Sequence, residues 1–92
     1  MSRFLVELPH DPDGLVCAKF VKLALTSGSH YLTHADWGCH DGVHSGWFIL
    51  EAGSKDEARS VLPPPLRPQA KIVALNYFTL EEIERVFGDH LT

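Results

Sequence analysis

Thiols and imidazoles are the side chains of this protein best suited to hold a soft metal ion or to move a proton near neutral pH. There are two cysteines, Cys17 and Cys39, and six histidines, of which His10, His30, His34, His40 and His44 fall in the first half of the chain. The cysteines form no CxxC pair, and the spacing of His10, Cys17, Cys39 and His44 matches no zinc-finger pattern, so any joint site must be assembled by the fold. Brought together, these four would form a thiolate and imidazole set of the kind zinc, copper or nickel selects, with His40, Asp41 and Asp36 as further donors. Two other outcomes stay open. The cysteines are buried free thiols beside a histidine bonded to backbone, or Cys39 is a nucleophile activated by His44.

A second set contains His34 and Asp36. Two positions apart on one strand they would share a side, where a carboxylate could orient the imidazole as a general base or acid. Trp47 opposite Asp36, Ser45 diagonal to it and Glu7 from a neighbouring strand would complete a ligand-binding cleft. The alternative is an interface in which His34 and Asp36 only hydrogen-bond to a partner or to water.

Both sets depend on one stretch, His30 to Gly53. It reads as two strands joined at Asp41-Gly42, since Asp-Gly between alternating residues favours a two-residue type I′ turn, which needs positive φ at both central positions. That turn would oppose His40 to Val43, Cys39 to His44, Trp37 to Gly46, Ala35 to Phe48 and Thr33 to Leu50. One face then carries Tyr31, Thr33, Ala35, Trp37, Cys39, His44, Gly46, Phe48, Leu50 and Ala52 and should be core. The other mixes Leu32, His34, Asp36, Val43, Ser45, Trp47, Ile49 and Glu51.

The flanking elements follow from periodicity and capping signals. Residues 3–9 alternate as a first strand, with Phe4, Val6 and Leu8 on one side and Arg3, Leu5 and Glu7 on the other. Asp11 and Asp13 precede a helix over about 14–27 that should bury some of Val16, Cys17, Phe20, Leu23 and Ala24 and close at Gly28. Ser54 to Glu57 is a capping box for a short helix to Leu62, stopped by Pro63, Pro64 and Pro65. Residues 70–78 make a last strand. Thr79 to Glu82 is a second capping box, opening a terminal helix that packs Leu80, Ile83 and Phe87 and ends at Gly88. The likewise C-terminal His90 lies in a tail expected to fray.

The resulting order, β-α-β-β-α-β plus a helix, predicts a ferredoxin-like α+β domain with a four-stranded antiparallel sheet of order 4-1-3-2. In this plan, and in the run Gly38-Cys39-His40-Asp41-Gly42-Val43-His44-Ser45-Gly46-Trp47, the chain resembles the small dimeric α+β-barrel proteins, the YCII-related and muconolactone isomerase-like group. That resemblance implies a homodimer whose sheets pack back to back and leave a cleft on each subunit. It carries over no residue role, because the group's His/Asp motif has no residue-by-residue match here. The plan also brings the end of the first strand, the hairpin turn and the start of the first helix to one end of the sheet, where His10, Cys17, Cys39 and His44 would meet. An apolar back face with Leu5, Leu32, Trp47 and Ile49 independently points to an interface, the alternative being a monomer whose C-terminal helix folds across that face.

Composition bounds the rest. Ninety-two residues make one domain, and 45% hydrophobic with 22% charged residues is ordinary for a globular protein. Eight Lys and Arg against twelve Asp and Glu give a net charge of −4 with no basic stripe, which argues against a nucleic-acid partner. No apolar run has membrane-span length and the N-terminus opens into a strand-like segment, so a cytoplasmic location is expected. The functional expectation is a protein that binds a small organic ligand or a transition metal such as zinc or nickel. The alternatives are a cofactor-free enzyme of isomerase, lyase or oxygenase type using His34 and Asp36, and a structural or regulatory module.

Overall fold

A computed structural model describes residues 1–91. Alternation in the first residues produces strand β1 (Ser2–Glu7), whose Phe4 and Val6 turn inward. Helix α1 (Gly14–Leu25) starts where Asp13 Oδ1 accepts the amides of Leu15 and Val16, both at 3.1 Å. Gly28, at φ +82°, reverses the chain after it. There follow a single helical turn α2 (His30–Thr33), a two-residue strand β2 (Asp36–Trp37), a 3-10 turn over Cys39–Asp41 and strand β3 (Gly46–Ala52). Helix α3 (Lys55–Ser60), a 3-10 stretch over Pro64–Gln69, strand β4 (Lys71–Leu75) and helix α4 (Leu80–Leu91) complete the chain.

The fold is α+β, and its antiparallel sheet has the order β2-β3-β1-β4, which is 4-1-3-2 counted from the β4 edge. Directly opposed residues share a face. The rows Val6–Phe48–Ile72 and Phe4–Leu50–Ala74 therefore look toward α1 and α3. Phe4, Val6, Leu8, Phe48, Leu50 and Ile72 form the core there with Ala24 and Ala58 from the helices. The opposite face carries the rows Asp36–Trp47–Glu7–Lys71 and Ile49–Leu5–Val73. No element among the described residues buries it, and Ile49 is 51% and Val73 45% exposed.

The predicted hairpin differs in three respects. Its first strand shrinks to Asp36–Trp37, because Ser29 caps a helical turn instead: its Oγ accepts from the Leu32 amide at 3.4 Å, and its carbonyl takes the Thr33 amide and hydroxyl. That turn rotates Leu32 into the core, fully buried, where strand geometry had assigned it to the back face. The reversal is also wider than two residues. Asp41 does not take the positive φ a type I′ turn requires; only Gly42 does, at +80°. The loop is gathered instead on Gly38, whose carbonyl accepts the amides of Asp41 and Val43 at 3.0 Å each and whose amide donates to Ser45. A Cβ at Gly38 would stand 2.7 Å from the Val43 carbonyl oxygen, so the close approach demands glycine. The short ladder that remains keeps the expected register, Trp37 opposite Gly46 and Asp36 opposite Trp47.

The first capping box forms in both directions and the second only in its hydroxyl half. The Ser54 hydroxyl accepts from the Glu57 amide at 3.1 Å while Glu57 Oε2 reaches back to the Gly53 amide at 2.9 Å, and the Thr79 hydroxyl accepts from the Glu82 amide at 3.1 Å. Helix α3 ends at Ser60 rather than Leu62, after which the prolines wind a 3-10 stretch that buries Leu66 completely. Helix α4 does not stop at Gly88, which lacks the left-handed φ of a terminating glycine, and continues to Leu91. None of its described residues is fully buried: of the residues expected to pack, Ile83 is half-buried while Leu80 and Phe87 are exposed. On α1, Val16 and Leu23 remain exposed, leaving Cys17 and Ala24 as its buried residues.

Candidate metal centre

The β1–β3 ladder does not stop at Glu7 and Trp47. Leu8 exchanges two backbone hydrogen bonds with Gly46, at 2.8 and 3.2 Å, and the His10 amide donates to the His44 carbonyl at 3.0 Å. His10 and His44 are thus opposed in register beyond the regular strands, on the face that carries Val6 and Leu8. The N-cap of α1 follows His10 by three residues and sets Cys17 one turn into the helix, buried and facing this end of the sheet. Cys39 opens the 3-10 turn gathered on Gly38.

These placements bring His10, Cys17, Cys39 and His44 together, each offering one ligand atom and all four atoms within 4.8 Å of one another. His10 is the hinge of the group. Its Nδ1 lies 3.1 Å from the Leu8 carbonyl, and since a carbonyl only accepts, Nδ1 carries the proton. In the neutral ring Nε2 then presents its lone pair, and it faces both sulfurs, 3.3 Å from Cys17 Sγ and 3.3 Å from Cys39 Sγ. Two thiols compete for a single acceptor. Phe20 stacks on the His10 ring at a centroid distance of 4.7 Å and Trp37 meets its edge at 5.9 Å, fixing the plane of the imidazole. His44 stands edge-on to His10 at 5.8 Å, and its buried Nδ1 has no hydrogen-bond partner. Burial, followed by the hydrogen bond and charge of Cys39, raises the Cys17 thiol above its ordinary pKa.

The donor chemistry fits a divalent metal. At ordinary metal–ligand lengths a tetrahedral centre places S and N about 3.6 Å apart, close to the separations His10 already makes. Two thiolates would neutralise the ion, leaving no net charge at a half-buried site. A carbonyl holding the second nitrogen is the outer-sphere arrangement that orients metal-binding histidines. The reason the set meets differs from the sequence argument in one respect: Cys39 and His44 are not opposed on a ladder but lie at two ends of a six-residue loop, and His10 is the residue His44 faces. His40 and Asp41 are exposed on the 3-10 turn and do not belong to the group, nor does Asp36.

The second predicted site is only partly gathered. A groove of about 460 Å³ on the back of the sheet is lined by Leu5, His30, Tyr31, His34, Asp36, Trp47, Phe48 and Ile49. It lies where the short β2 leaves the β3 edge uncovered and α2 packs alongside, Tyr31 stacking on Phe48 at 5.7 Å. His34 and Asp36 do not lie on one strand. His34 is the C-cap of α2 and its Nδ1 donates to the His30 carbonyl at 2.9 Å; among the described residues it forms no hydrogen bond with Asp36, and both are exposed. Glu7 shares the sheet face with Trp47 but is opposite Lys71 and does not line the groove. Ser45 is buried before β3 with its hydroxyl unpartnered, also outside the groove lining. His30 and Tyr31 were missed as lining residues because a strand pattern hid the helical turn. The signal for that turn was Ser29 followed by His30 and Leu32, a helix N-cap ahead of a residue that packs.

No helix among the described residues is long and apolar enough to cross a membrane. The chain matches no family model, and comparison with curated proteins and with solved structures finds no match either.

Proposed function

We propose that this protein binds zinc through His10, Cys17, Cys39 and His44. The observation that carries the reading is the His10 imidazole, whose tautomer is set by the Leu8 carbonyl so that its free nitrogen faces two sulfurs at once. Four protein donors fill a tetrahedral shell and leave no open position, which favours a structural or metal-holding centre over a Lewis-acid catalyst. Zinc accepts an S₂N₂ tetrahedron without preference from its d electrons, whereas divalent nickel and copper favour planar surroundings. The clasp would join the end of β1, the first turn of α1 and the loop before β3. The order of elements supports a ferredoxin-like plan, a scaffold on which function is decided by the site rather than the fold.

Elemental analysis after zinc reconstitution and exhaustive dialysis tests the proposal. One zinc per chain is expected, with cobalt substitution giving the intense absorption of a tetrahedral thiolate complex and Cys39→Ser abolishing both. A metal-free protein after reconstitution would end it. The groove lined by Tyr31, Trp47 and Ile49 supports a second reading, retention of a small aromatic or apolar molecule, with His34 and Asp36 as its polar contacts.

A further inference from the structure

We propose that Cys17 and Cys39 are a site of reversible oxidation, which hydrogen peroxide closes to a disulfide with release of the bound metal. The pairing stands on the sulfur geometry alone, and the release rests on zinc ligation as proposed above. Both cysteines are free thiols, and the chain has no other. Each sulfur lies 3.3 Å from the same atom, His10 Nε2, and the two are no more than 4.8 Å apart. A disulfide holds its sulfurs about 2.05 Å apart, so closure asks each to shift by at most about 1.4 Å. Cys39 is placed to make that movement. It lies outside the β2–β3 ladder, on a turn where its carbonyl accepts the Gly42 amide at 3.1 Å, so its displacement breaks no strand pairing.

The sulfurs differ in access, and this sets the order of events. Cys39 is half-buried on the turn, whereas Cys17 is 9% exposed on the side of α1 that faces the sheet. Peroxide therefore meets Cys39 first. The Cys39 sulfur attacks one peroxide oxygen: an S–O bond forms, the O–O bond breaks, and the departing hydroxide leaves as water with the thiol proton. Cys39 is then a sulfenic acid. The Cys17 sulfur attacks the Cys39 sulfur, the S–S bond forms, the S–O bond breaks, and hydroxide leaves with the Cys17 proton as a second water. Two thiols have lost two electrons and one peroxide has become two waters. A second sulfur already within reach diverts the sulfenic acid to a disulfide before it can be oxidised to the irreversible sulfinic acid.

The same two sulfurs supply half of the proposed zinc shell. Only a thiolate sulfur is a zinc ligand of this kind, and a disulfide sulfur carries no charge to offer. After closure His10 and His44 remain as two neutral imidazoles, so metal and disulfide exclude each other. In the zinc-bound form the sulfurs have no protons to give, and the two hydroxides draw theirs from the buffer as Zn²⁺ leaves.

Metal-free protein treated with stoichiometric hydrogen peroxide, quenched by alkylation and mapped by mass spectrometry tests the pairing. Loss of two hydrogens from the intact chain is expected, with a peptide pair cross-linked through Cys17 and Cys39 and both thiols restored by dithiothreitol. Zinc-loaded protein in a chromophoric chelator should release one zinc for each disulfide formed. Cys17→Ser should halt at a Cys39 sulfenic acid captured by dimedone, and Cys39→Ser should leave Cys17 reduced. The mapping uses the unaltered chain and holds whether or not these variants fold. Sulfinic acid at Cys39 beside a reduced Cys17 overturns the proposal, as do disulfides formed only between chains or zinc retained by the oxidised protein. A chain that takes up no zinc yet closes the Cys17–Cys39 bond upholds the thiol pair and sinks zinc ligation and the release together, so the two failures are told apart.

Discussion

Replacing Cys39 by serine separates metal ligation from packing, because the structure makes this sulfur nearly dispensable to the metal-free fold. Cys39 is half-buried, and the turn it opens is held by backbone bonds to Gly38 that do not involve the side chain. Without metal, Cys39→Ser loses a weak contact to His10 that a hydroxyl partly replaces, worth no more than about 1 kcal/mol. With metal the expectation is different. At free zinc of about a thousand times the dissociation constant, a native-state ligand adds about 4 kcal/mol of stability. For a domain of this size each kcal/mol moves the melting midpoint by about 4–8 °C, so the zinc increment is about 15–30 °C. Calorimetry of wild type and Cys39→Ser, each with chelator and with buffered zinc, gives four midpoints. The two chelated samples should agree within about 5–8 °C, and only the wild type should rise with zinc. A wild type that gains nothing, or a variant that keeps the whole increment, would refute the reasoning that Cys39 is a ligand.

Three further outcomes follow from the same geometry. Zinc affinity should fall steeply on acidification, by up to about a hundredfold per pH unit while both thiols are protonated, measurable by competition with a chromophoric chelator. In the metal-free protein the sign reverses: burial and Cys39 raise the Cys17 thiol, so its stabilising contribution is complete below the unfolded thiol pKa and is lost as pH rises through the folded value, visible as a declining denaturation midpoint on the alkaline side. Gly38→Ala places a methyl 2.7 Å from the Val43 carbonyl oxygen and 2.9 Å from the Trp47 ring, and should cost about 1–3 kcal/mol in urea unfolding while weakening zinc binding through the displaced Cys39 loop. Leu8→Ala empties a fully buried position in the core and should cost about 2–5 kcal/mol, with unchanged stability as the result that contradicts its placement.

Local chemistry in the sequence was enough for the elements whose signals are self-contained. Alternation set β1 and β3, Asp13, Ser54 and Thr79 marked their helix starts, and Pro63 to Pro65 marked a stop, because each of these acts through its nearest neighbours. The inward parity of His10 and the pairing of Trp37 with Gly46 were also legible, since a ladder has a period of two wherever it runs. What tertiary structure alone decided was the loop between Trp37 and Gly46. Asp41-Gly42 carries a strong preference for a tight reversal, yet the Ser29 cap and the close approach at Gly38 outweighed it, turning Leu32 inward and replacing the long second strand. The four donors still converge, held by the His10–His44 bond and the Asp13 cap rather than by an opposed Cys39 and His44. Helix α4 shows the limit from the other side. Its amphipathic stripe was plain in the sequence, but a stripe states only that something must cover it, and which surface does so is a property of the assembled molecule.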